Sequence, residues 1–163
     1  MRDYPPPVTA ILGDGTHLAE LGPGTPDLSK KPLLSAFDPL RDLGPVTDRM
    51  MAKLCHAGLW LYHDFLDESH KISQDIETPT GSFWHAIMHR REPDPGNSKY
   101  WWRRVGKHPV LAALEYGDPL AFVDRCETAR GTGSAEEEEC KGLQLAEWHA
   151  LFEYCFRNAV STG

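Results

Sequence analysis

The chain has 163 residues, 40% hydrophobic and 25% charged, with a net charge of −7. This is enough to bury one core, and no apolar run reaches the roughly 20 residues a spanning helix needs. The N-terminus lacks an apolar stretch of signal-peptide length, so a cytoplasmic setting is expected, and the acid excess argues against nucleic acid, whose phosphates require positive surface.

Residues 1–44 read as a loop-rich arm, because "YPPP", "GDG" and "LGPGTPD" interrupt any long element. Ile11, Leu12, Leu18, Leu21, Leu33 and Leu34 imply that this arm packs on a helical body, residues 45–163. Asp38-Pro39 opens a brief helix, with proline at the first helical position. From Pro45 to Ile76 one long helix is expected, since Leu54, Leu61, Phe65 and Ile72 recur at helical spacing. After "TPTGS" a second helix, capped by Thr80 or Ser82, runs to about Arg91. Asn97 caps a short helix that Gly106 stops, and Asp118-Pro119 starts another. Ser134, with Glu137 three residues on, reads as a capping box for a last helix to about Val160. No segment alternates with a period of two, so the expectation is an all-α domain, an irregular bundle of five or six helices. The four cysteines are scattered and read as small buried side chains.

On a helical wheel His56, Trp60, His63, Asp67, His70 and Gln74 share one stripe of the long helix. A solvent face is the plain explanation, but such faces carry Lys and Glu more often than three histidines and a tryptophan. The next helix places His85, His89 and Glu92 on one side, and the short connection favours antiparallel neighbours. Counting outward from the turn sets Gln74 level with His85, His70 with His89, and Asp67 with Glu92. His70, His85 and His89, with Asp67 or Glu92, then form a ligand set suited to zinc, iron or manganese, with an open position for water. Two other readings stand beside it: histidines satisfied by a buried hydrogen-bond network, and histidines simply exposed. H-x-x-x-H lacks the glutamate of H-E-x-x-H, which removes the zinc-protease reading.

The segment from His85 to His108 carries a net +4, leaving −11 on the remainder. Arg90, Arg91, Arg103 and Arg104 offer guanidinium forks for a small anionic ligand. Trp101 and Trp102 offer rings for a planar one. The competing reading pairs these arginines with the chain's own acids. No G-x-S-x-G elbow and no P-loop is present, and Cys55 and His56, as sequence neighbours on a helix, diverge by about 100°. The alternatives are therefore a metal-dependent protein acting on a small anionic ligand, a non-enzymatic helical module that binds a ligand or protein, and a structural protein.

"HAIMHRRE" resembles the H-x-x-x-H-R element of the DinB family of metal-binding four-helix bundles, over about eight residues. That resemblance implies a three-histidine metal site in which His85 and His89 are two of the ligands. "GSFWHAIMHRREPD" with "KYWWRR" also resembles bacterial helical proteins that have no assigned activity, and implies none here.

Overall fold

The computed structural model describes residues 3–161. Among them are nine α-helices: α1 (Pro6–Leu12), α2 (Lys31–Ala36), α3 (Pro39–Asp42), α4 (Arg49–Tyr62), α5 (Leu66–Ser73), α6 (Pro79–Arg91), α7 (Pro95–Val105), α8 (Pro119–Ala129) and α9 (Ala135–Ala159). A 3₁₀ turn, Leu111–Ala113, stands before α8. The all-α class is as expected, but the expectation of five or six helices is too low, for two physical reasons.

The first is the arm. Its prolines start helices as well as interrupting them: α1, α2 and α3 each carry proline in the first turn, where a missing N–H costs nothing. Val8, Ile11, Leu12, Leu34, Phe37 and Leu43 of the arm belong to the main core, although Leu18 and Leu33 stay exposed.

The second is a break in the expected Pro45–Ile76 helix. Asp64 adopts φ 69°, a left-handed conformation that Asp tolerates better than most residues. Arg91 stabilises the break from across the core. Its guanidinium donates to the Leu61 carbonyl (3.1 Å), which also accepts from Asp64 N where α4 ends, and to Asp64 Oδ1 (2.5 Å). No glycine or proline marks this boundary, and its cause lies 27 residues further along the chain.

The X-Pro signal read at Asp38 applies more widely. Thr78, Asp94 and Asp118 cap α6, α7 and α8 ahead of a proline, displacing the expected caps at Thr80, Ser82 and Asn97. Ser134 caps α9 by accepting from Glu137 N. The return arm of the box goes elsewhere, because the Glu137 carboxylate accepts from Gly131 N and Gly133 N.

α4 and α9 form the centre of the bundle. Gly58 lets the Trp84 ring sit 2.7 Å from where a Cβ would be, and Trp148 Nε1 donates to the Gly58 carbonyl (2.8 Å). α6 runs through the interior between α4, α5 and α7, with every residue from Thr80 to Arg91 buried. A helix buried on all sides must satisfy each polar side chain it carries. α6 carries two histidines and two arginines, and these define the candidate site. All four cysteines are buried thiols.

Candidate metal centre

The eight histidines sort by what their nitrogens touch. His56 Nε2 donates to the Leu34 carbonyl (2.9 Å), His63 Nε2 to the Ile11 carbonyl (2.6 Å) and His149 Nε2 to the Gly15 carbonyl (2.8 Å). A carbonyl only accepts, so Nε2 carries the proton in each. His108 Nδ1 accepts from Val110 N, which leaves its Nε2 to donate to Thr80 Oγ1 (2.9 Å). His17 lies at the surface, 3.7 Å from Asp64. His56 and His63 therefore hold the arm and do not face α6, so only the His70 end of the expected stripe reaches the site.

His70, His85 and His89 remain, and they converge. One nitrogen from each can be chosen so that all lie within 4.8 Å of one another, a group that can hold a metal ion. His85 and His89 are one turn apart on α6, their rings stacked at 4.8 Å and 23°. His70 comes from α5 and meets both edge-on, at 4.6 and 5.3 Å between centroids. Close approach of α5 to α6 depends on Gly81, where a Cβ would fall 2.0 Å from the Ile76 carbonyl oxygen. On its other face His85 stacks on Trp101 of α7, at 3.8 Å and 19°.

His85 is only 3% exposed, yet its Nδ1 has no hydrogen-bond partner among the described residues. Burial, reinforced by His89 and then His70, pushes its pKa down to about 3, so the ring is neutral with a lone pair available. Burial and His89 also lower His70, against the opposing pull of Glu92 and Asp67. His89 Nδ1 lies 3.4 Å from Glu92 Oε1. An ionised carboxylate only accepts, so this contact places the proton on Nδ1 and leaves Nε2 free.

Of the expected carboxylates, Glu92 adjoins the cluster through His89, and Asp67 does not enter it. Asp67 is exposed one turn before His70 and, with Glu68 and Glu92, lines an open groove of about 420 Å³. Asp94 is an addition: His89, Glu92 and Asp94 form a second group with atoms within 4.8 Å. Its signal is the spacing H-x-x-E-x-D, of which only His89 and Glu92 are among the expected ligands.

The expected arginine clamp does not assemble. Arg90 is fully buried and bidentate to Glu147 (3.0 and 2.6 Å), with Gln144 Oε1 at 3.1 Å. Arg91 is taken up by Asp64 and by the Leu61, Gly22 and Pro23 carbonyls. The terminal nitrogens of both are engaged from inside, although Arg90 Nε has no partner among the described residues, because a buried guanidinium must find acceptors or leave α6. Arg103 and Arg104 stay exposed on α7, the latter over Trp101 at 5.4 Å. The expected aromatic patch divides as well: Trp102 is buried against Phe83 (4.9 Å, edge-on), while Trp101 covers His85.

Sequence and structure comparisons supply no relative for this arrangement: no family model matches the chain, nor does any curated protein or solved structure.

Proposed function

We propose that this protein binds a divalent transition metal through His70, His85 and His89. Glu92 holds His89 through Nδ1 so that Nε2 faces the ion, the familiar carboxylate–histidine arrangement behind metal ligands. The observation that carries this reading is the buried, unpartnered Nδ1 of His85 beside two other imidazoles. An all-imidazole set favours zinc or iron over the harder manganese. Three protein ligands leave a position for water, and a metal so held acidifies that water toward neutrality, which suits hydrolytic chemistry.

The groove beside Glu92 is the natural place for a second reactant. Its carboxylates at Asp67, Glu68 and Glu92, with Asp64 paired to Arg91, against Lys31 alone, support a neutral or cationic ligand. They speak against the small anionic one expected from the arginines, two of which are held by internal acceptors.

The test is metal content by inductively coupled plasma mass spectrometry after chelator stripping and reloading with each ion. Wild type is expected to retain about one equivalent of zinc or iron, and His85→Ala essentially none. His56→Ala, which loosens only the arm, should retain it. No retention by wild type for any ion sinks the reading.

A further inference from the structure

The His85 ring lies between two flat neighbours, Trp101 at 3.8 Å and His89 at 4.8 Å, with interplanar angles of 19° and 23°. Four other histidines are oriented by hydrogen bonds to carbonyls or a hydroxyl. Among the described residues no hydrogen bond reaches His85 Nδ1, so its ring plane is set by stacking. A face-to-face stack fixes the plane while leaving the in-plane nitrogen lone pairs open, and a metal approaches an imidazole along that in-plane direction. Coordination also draws electron density from the imidazole. The part-cationic ring then lies against the negative face of an indole, which favours it. Trp101 is itself held, by Tyr100 edge-on at 5.2 Å and by the Arg104 guanidinium at 5.4 Å.

Resting on the metal-binding reading above, we infer that Trp101 is a positioning residue of the metal centre, which holds His85 in its ligating orientation and reports occupancy through its fluorescence. The adjacent Trp102 supplies the contrast. It is 3% exposed and packs edge-on against Phe83, so it fills core without touching the cluster.

The experiment titrates zinc into chelator-stripped wild type, Trp101→Leu, Trp101→Phe and Trp102→Phe, in competition with a chromophoric chelator. An aromatic stack with cation–π character corresponds to roughly 3- to 30-fold in affinity. Trp101→Leu is expected to weaken zinc by about that factor, and Trp101→Phe to recover most of it. Trp102→Phe should leave affinity unchanged even if its melting temperature falls. Zinc should alter wild-type tryptophan fluorescence, and Trp101→Phe should abolish that change although four tryptophans remain. That optical readout stands even if Trp101→Leu fails to fold. Wild-type affinity in Trp101→Leu, or equal weakening in Trp102→Phe, overturns the positioning role. A wild type that binds no zinc and no other divalent ion overturns the metal reading itself.

Discussion

His85 shows how a single nitrogen separates a structural histidine from a candidate ligand. An unpaired polar atom buried in protein costs about 1–3 kcal/mol, and the bonded histidines avoid that cost through a carbonyl or hydroxyl. For His85 Nδ1 the cost is unrelieved in the metal-free protein. His85→Phe, which keeps a flat ring against Trp101, is therefore expected to leave the stripped protein equally stable or stabilise it by up to about 2 kcal/mol. With saturating zinc the order reverses, because only wild type gains ligand-linked stability. Urea denaturation with and without chelator measures both; a large loss in the stripped variant would mark His85 as part of a structural network. The His85–His89 pair was legible in sequence because the helical period aligns residues four apart. The fates of Arg90 and Arg91 were not, since a charged side chain carries no local sign of whether its partner is solvent, ligand or a distant acid.

Between elements, the site depends on how closely α5 and α6 approach. The turn joining them is tight enough that Gly81 has no room for a side chain against the Ile76 carbonyl. Gly81→Ala must displace backbone, since a carbonyl oxygen cannot swing aside like a flexible side chain. A displacement of even about 1 Å between His70 and the α6 pair takes a ligand set outside the tolerance of metal geometry. The variant is expected to lose about 1–3 kcal/mol of stability and, more tellingly, at least tenfold in zinc affinity at temperatures where it stays folded. Unchanged affinity by chelator competition would show that α5 is not held by this turn. The split of the expected long helix belongs to this scale too. With α4 unbroken, His70 would continue the stripe that faces the arm; the Asp64 break redirects α5 toward α6.

Across the whole molecule, histidines do a second job, fastening residues 3–44 to the bundle. His56, His63 and His149 bond carbonyls of Leu34, Ile11 and Gly15, spread along the arm. Burial lowers the pKa of His56 and of His63, with Asp38 and Asp27 respectively pulling back. A histidine whose folded pKa is depressed refuses a proton that the unfolded chain accepts. Its contribution is present above the unfolded value near 6.5 and is lost as pH falls through that value toward the folded one. Stability is therefore expected to fall between pH 7 and pH 5, by at most about 1.4 kcal/mol per pH unit for each such group. His63→Gln, whose amide can still donate to Ile11, should flatten that slope. Urea midpoints at the two pH values decide it, and an equal slope in the variant would remove His63 from the account.

Sequence alone determined part of what depends on local periodicity and caps: the all-α class, the proline-led helix start at Asp38, and the placement of His85 and His89 one turn apart. It also brought His70 into the same candidate set through the short connection to α6, but by way of an unbroken helix that the Asp64 break replaces. Tertiary structure alone decided the groups whose partners lie far along the chain. Arg91 ends α4 from 27 residues away, Arg90 turns to Glu147, and Trp101 covers His85 in place of an outside ring. For the two arginines the physical reason is shared: a helix buried on every side offers their charge no solvent, so each takes acceptors from wherever the fold brings them, while Trp101 reaches His85 only because α7 packs along α6.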